Sequence, residues 1–172
     1  MNEGIIVRPG TLGDHEVVAE FNRLLAWETE ALSLDPVTLR AGVSAILADP
    51  RKGYYFVAER DGRVVGQACV TFEWSDWRNG MIWWLQSVYV EAPCRRAGVF
   101  ALLLDRIAAE ARAAGVVALR LYVEKDNETA QAVYTRRGWT MTHYRVMERT
   151  LGSGAGAGAG KADHAGESGG RN

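Results

Sequence analysis

Between Met81 and Ala111 the apolar residues change their period, and this change constrains the fold more than any other feature. Met81 to Val90 is an almost unbroken apolar run, as a buried strand requires. Ala92-Pro93 stops it. From Gly98 onward, Val99, Leu102, Leu103, Ile107 and Ala111 recur at helical spacing, and Gly115 closes the helix after Ala114. Val117 to Val123 is a further apolar run. Strand, helix and strand in this order make a β-α-β crossover.

The N-terminal half reads differently. Ile5 to Arg8, closed by Pro9, is a first strand. Thr11 and Asp14 resemble a capping box with Asp in place of Glu, opening a helix from Asp14 to Ala31. Asp35-Pro36 repeats the signal and starts a second helix, to Ala48. Tyr54–Glu59 and Val64–Glu73 are strands joined by a tight Asp61-Gly62 turn. After the crossover, Asn127 caps a short helix to Arg137, Gly138 ends it, and Trp139–Glu148 is the last strand expected. The order is β-α-α-β-β-β-α-β-α-β, an α/β (α+β) fold with its antiparallel part first.

Composition bounds the function. The 172 residues suffice for one domain with a hydrophobic core. A formal net charge of −1 gives no field for nucleic acid or anionic lipid. The two cysteines, Cys69 and Cys94, lie far apart and near no histidine cluster, so no metal site is expected and a reducing compartment suits them. The N-terminus lacks a signal-peptide pattern, and no run approaches the ~18 apolar residues of a membrane helix, so a cytoplasmic protein is expected. After Leu151 the sequence collapses to glycine, alanine and polar residues. Residues 1–151 are read as the domain and 152–172 as a disordered tail.

Two segments carry chemistry. In the first, the strand Ser87, Val88, Tyr89, Val90 runs into a basic turn with Arg95 and Arg96, and then into a helix opening at Ala97, Gly98, Val99, Phe100 and Ala101. A helix start exposes unpaired N–H groups and the positive end of its dipole, and Gly98 admits a close approach. With two arginines added, this is a pyrophosphate site without a P-loop lysine, or else an ordinary connection with solvated arginines. In the second, Asn127 caps a helix on which Ala130 and Tyr134 share one face, followed by Gly138 and Trp139. A tyrosine there either packs in the core or holds a proton for a leaving group at neutral pH.

Arg95-x-x-Gly98-x-Phe100 resembles the GNAT acyl-CoA signature, Gln/Arg-x-x-Gly-x-Gly/Ala, and Asn127-x-x-Ala130-x-x-x-Tyr134-x-x-x-Gly138-Trp139 resembles the second GNAT motif. The element order over residues 5–149 matches as well. The resemblance implies an N-acetyltransferase with acetyl-CoA as co-substrate, a primary amine of a small molecule or peptide as acceptor, and a central strand pair that splays apart. It implies that pantetheine lies along Ser87 to Val90, that the loop from Arg95 to Ala101 takes the pyrophosphate, that Asn127 contacts the pantetheine arm, and that Tyr134 faces the thiol. Relatives are often dimers. A CoA-binding sensor module with little catalysis is the alternative.

Two departures stand out. Phe100 occupies a place usually held by Gly or Ala, so its ring must turn away from the phosphates. Gln86 stands where several relatives carry a general-base Glu, and an amide cannot accept a proton at neutral pH. Glu73, Asp76 and Glu28 are the carboxylates within the region, with Glu73 and Glu28 the candidates for a catalytic role. Four of the six tryptophans, Trp74, Trp77, Trp83 and Trp84, cluster beside Glu73 and Asp76. Aromatic faces with acids attract organic cations, but core packing serves equally, and strand parity sends Trp83 and Trp84 to opposite faces.

Overall fold

A computed structural model describes residues 4–149 and 151. The elements run β1 (Ile5–Pro9), α1 (His15–Glu30), α2 (Pro36–Ala48), β2 (Tyr54–Arg60), β3 (Arg63–Ser75), β4 (Gly80–Val90), α3 (Val99–Ala113), β5 (Ala118–Leu121) and α4 (Glu128–Thr135). The local signals place them. Thr11 and Asp14 cap each other reciprocally at a single 3-10 turn that leads into α1. The Asp35 carboxylate accepts the Thr38 N–H at 2.8 Å, with Pro36 at the first helical position of α2.

The strands form one sheet in the order β1-β2-β3-β4-β5. All pairs are antiparallel except β4–β5, which the α3 crossover makes parallel. Strand alternation sends one set of side chains to each face. Tyr55, Val57 and Cys69 meet Val18, Ala19 and Val43 of α1 and α2. Phe56, Ala58, Val70, Trp83 and Leu85 meet Val99, Leu103, Leu104 and Ile107 of α3. Both thiols are buried, and burial pushes that of Cys69 up to about 12. Among the described residues no helix is long and apolar enough to cross a membrane.

The parallel pair is short. β4 meets β5 only over Ile82–Leu85, while β3 stays paired with β4 as far as Val90. Among the described residues, Gln86 to Val90 therefore have a strand on one side alone. The two strands part here, as the resemblance implies.

One expected element is absent. Trp139–Glu148 forms no strand, so the observed order ends on α4 instead. A strand needs a ladder partner and a face to bury. Among the described residues this segment has no partner strand, and Met141 is 70% and Met147 96% exposed. Trp139 packs against the Tyr134 ring at 5.5 Å. The expected tail over 152–172 lies outside the described residues.

Candidate active site

The cleft begins at an irregularity in β4. Gln67 lies opposite Tyr89 and Cys69 opposite Gln86, so Ser87 and Val88 together face the single residue Ala68. This is a β-bulge. Ser87 sits within it at φ 49°, in the left-handed region. The extra residue resets side-chain parity. Gln86 and Tyr89, three apart, both face the α1 side, where Tyr89 meets Phe21 with ring centroids 5.1 Å apart. Val88 and Val90 pack toward α3.

Beyond β4 the chain turns through Arg96 at φ 65° and Gly98 at φ 82°. Gly98 caps α3 without any side-chain bond to the first turn. The first intrahelical bond runs from the Leu102 N–H to the Gly98 carbonyl, at 3.1 Å. The N–H groups of Val99, Phe100 and Ala101 are thus left for another acceptor. The two arginines divide their work. Arg95 turns back, donating to the Val90 carbonyl at 2.9 Å and to Glu28 at 2.5 Å, with its guanidinium 5.5 Å from the Tyr89 ring centre. Arg96 is exposed and makes no ion pair among the described residues.

The second motif meets the first through Phe100. The Asn127 side-chain oxygen accepts the Ala130 N–H at 2.9 Å, which starts α4 and leaves the Asn127 amide NH₂ toward solvent. Ala130 and Tyr134 lie on the partly buried face of α4. Tyr134 packs edge-on between Phe100 and Trp139, with ring centroids 5.5 Å away on each side. Phe100 has turned into the core, as its position in the loop requires. Burial pushes the Tyr134 hydroxyl up to about 12. That hydroxyl has no hydrogen-bond partner among the described residues.

The candidate carboxylates are all engaged. Glu28 accepts the Tyr89 hydroxyl at 2.8 Å as well as Arg95, and these partners, Arg95 first, hold its pKa below the ordinary value. Glu73 accepts the Trp84 indole N–H at 2.6 Å and the Arg120 guanidinium at 2.8 and 3.0 Å. Arg120 lies 5.6 Å from the Trp84 ring, which stacks on Tyr122 at 4.5 Å. The acid beside these aromatics is already neutralised by Arg120. Asp76 accepts the Trp77 N–H at 2.9 Å in the exposed β3–β4 turn. Gln86 donates to Thr71 Oγ1 at 2.5 Å. Trp83 lies on the opposite face, with Phe72 and Tyr54 at 5.8 and 6.1 Å.

One group escaped the sequence reading. Gln67 is fully buried beneath the bulge. Its Nε2 donates to Asn22 Oδ1 at 2.6 Å and, at 3.4 Å, to the Ser87 carbonyl. Asn22 in turn donates to the Tyr55 hydroxyl at 2.9 Å. An amide in the middle of the apolar strand β3 was the available signal.

Two concavities lie elsewhere. One of about 260 Å³ sits between α1 and α2, and one of about 420 Å³ lies under Tyr54 and Trp83 near the end of α3. Neither is lined by residues of the two motifs. Among the described residues no three metal-ligating side chains cluster.

Residues 19–139, which span both motifs and the parted strands, match the model of the acetyltransferase (GNAT) family. The chain belongs to that family. GNAT proteins are acyltransferases that use acetyl-CoA in general, and this protein is an acyltransferase. A possible acetyltransferase from Clostridium difficile 630 is 41% identical, with a TM-score of 0.81 over 87% of this chain and 99% of that one. A predicted acetyltransferase with acetyl-CoA from Clostridium acetobutylicum shares the fold at 18% identity and TM-score 0.71, covering 84% of this chain and 96% of the other. So does the ribosomal-protein-alanine N-acetyltransferase from Brucella melitensis biovar Abortus 2308, at 16% identity and TM-score 0.69, covering 86% and 99%. No curated protein matches the chain.

Proposed function

We propose that this GNAT protein transfers the acetyl group of acetyl-CoA to a primary amine of a small molecule or peptide by direct attack. The observation that carries the reading is the junction of the two motifs. The uncapped start of α3 and the tyrosine of α4 are joined by the Phe100–Tyr134 contact at 5.5 Å. The chain fits the co-substrate at three points. The N–H groups of Val99, Phe100 and Ala101 suit a pyrophosphate, with Gly98 admitting it and Arg96 adding charge. The edge of Ser87 to Val90 that β5 leaves uncovered offers backbone pairing to an extended amide arm. The exposed Asn127, whose side-chain oxygen caps α4, keeps its amide NH₂ available to donate to that arm.

Acetyl-CoA supplies the activated acyl group and departs as a thiol. The residues of this chain handle the protons. Tyr134 stays protonated through the neutral range and is placed to give its Oη proton to the departing sulfur. Glu28 stays anionic beside Arg95. It is therefore a poor base, and its charge is already taken up by Arg95. Glu73, paired with Arg120, keeps Trp84 in place. With an amide at Gln86, water takes the proton of the attacking amine.

Calorimetry with CoA, followed by thiol release from acetyl-CoA with a panel of amines, aminoglycosides, amino acids and peptides, tests the reading. CoA binding and amine-dependent thiol release are expected. CoA binding without turnover on any acceptor would make the chain a sensor module. No CoA binding would overturn the reading.

A further inference from the structure

We propose that Gln67, held by Asn22, is a positioning residue that fixes the Ser87–Val88 bulge of β4 and so presets the strand edge offered to CoA. The inference rests on the reading that the pantetheine arm lies along Ser87 to Val90.

The bulge needs holding. It places a serine at φ 49°, where a side chain is disfavoured and glycine is the usual occupant. Slipping β4 by one residue would put Ser87 opposite Ala68 and relax that strain. The same slip would turn residues 87–90 over, sending Tyr89 toward α3 and Val88 and Val90 toward α1. The edge presented to the cleft would then have a different set of N–H and C=O groups.

Two polar ties from α1 oppose the slip. Glu28 holds the Tyr89 hydroxyl at 2.8 Å, past the bulge. At the bulge itself, the short 2.6 Å bond from Gln67 Nε2 to Asn22 Oδ1 orients the amide so that its second N–H points at the Ser87 carbonyl, 3.4 Å away. Asn22 is fixed in its turn by the Tyr55 hydroxyl at 2.9 Å.

The amide at position 67 does not serve the fold. Gln67 is 0% exposed, and its Oε1 has no partner among the described residues. A buried carbonyl without a partner destabilises, whereas apolar replacement of both members of a buried polar pair is close to neutral or stabilising. A methionine at 67 and a leucine at 22 would therefore suit the core at least as well. Their polar counterparts make sense as a device for the bulge.

The test is calorimetry with CoA on the full chain, thermal melts without ligand, and hydrogen exchange at the Ser87 and Val88 amides. In Asn22→Leu/Gln67→Met, the melting temperature is expected to hold or rise. The bulge amides should exchange faster, and the CoA Kd should rise roughly three- to tenfold, the loss expected of about one hydrogen bond's worth of preset geometry. Asn22→Asp keeps the oxygen that orients Gln67 and is expected to retain wild-type affinity, where Asn22→Leu does not. It also serves if the double variant fails to fold. A CoA Kd within about 1.5-fold of wild type in Asn22→Leu and in the double variant overturns the inference and leaves the proposed function standing. If the wild type does not bind CoA at all, both fall together.

Discussion

Replacing Tyr134 by phenylalanine removes one oxygen and leaves the ring. The ring is what packs, edge-on between Phe100 and Trp139 at 5.5 Å on each side, and the hydroxyl bonds to no described residue. The substitution should therefore cost little stability, within the ~0.5 kcal/mol scatter of harmless changes. The catalytic consequence is different. A hydroxyl held up to about 12 by burial carries its proton throughout the neutral range. If it gives that proton to the leaving sulfur, its loss should lower kcat by ~10²-fold, the low end for a positioned general acid, because a thiol is already a good leaving group. CoA affinity should stay nearly constant, since the interaction strengthens only as sulfur develops charge. The assay is thiol release at saturating acetyl-CoA, paired with calorimetry and single-turnover kinetics to show that chemistry limits the rate. Retention of more than about half the wild-type kcat would refute the acid role. The tyrosine would then be a wedge between α3 and α4, and water would supply the proton.

Gly98→Trp forces a bulky side chain onto a left-handed position at φ 82°, at the mouth of the uncapped turn. It should abolish the CoA-dependent stabilisation, ~2.7 kcal/mol for wild type at a hundred-fold excess over Kd and read as a rise in melting temperature; an intact shift would move the phosphates elsewhere. Ending the chain after Leu151 should leave kcat/KM for acetyl-CoA unchanged, and a large loss would place residues 152–172 in the site or at a subunit contact. Asp14 is held down to about 2 by the two 2.8 Å bonds from Arg8. Its lowered pKa gives stability that is present above about pH 4 and lost as pH falls toward 2. Asp14→Asn should thus be less stable by about 2 kcal/mol at pH 7 and converge on wild type near pH 2; a difference that persists unchanged in acid would mean packing, not charge, is responsible.

The elements that the sequence made legible are those whose signals are local. Asp35-Pro36 marked the start of α2 because a side-chain oxygen and a ring-fixed φ act within one turn. Asn127 did the same for α4. The two motifs were legible because a basic, glycine-marked helix start and an Asn-capped helix carrying a tyrosine are short patterns. The pairings made at long range were not legible. Glu28 and Arg95 are far apart in the chain and at most ordinary surface charges by composition, yet they meet at 2.5 Å. Glu73 looked like an acid free to draw a cation until Arg120 arrived from β5. The bulge at Ser87 carries no glycine to announce it, so a strand read by alternation alone misplaces Tyr89. The failure at Trp139–Glu148 has the same origin. Its β-branched and aromatic content favours a strand, but propensity describes fitness for a pleated, half-buried surface, and among the described residues no neighbouring strand provides one.

The two departures from the family pattern bear on opposite ends of the same reaction. Phe100 stands where the family pattern has a small residue, in the loop proposed to take the phosphates, and its ring leaves the loop to become the surface on which Tyr134 rests. The bulk that seemed a hazard to cofactor binding thus fixes the proposed acid relative to the start of α3. On the proposed reading Gln86 leaves the acceptor side without the base that several relatives carry, and the two neighbouring carboxylates, Glu28 and Glu73, are already engaged by Arg95 and Arg120. If Tyr134 is the acid and water the base, the proposed reaction depends on the amine arriving unprotonated. The acceptor's own pKa would then govern the pH response, and the proposed contribution of the enzyme is geometry: the bulge at Ser87 and Val88, the ties from α1 that meet it, and a tyrosine kept protonated by burial.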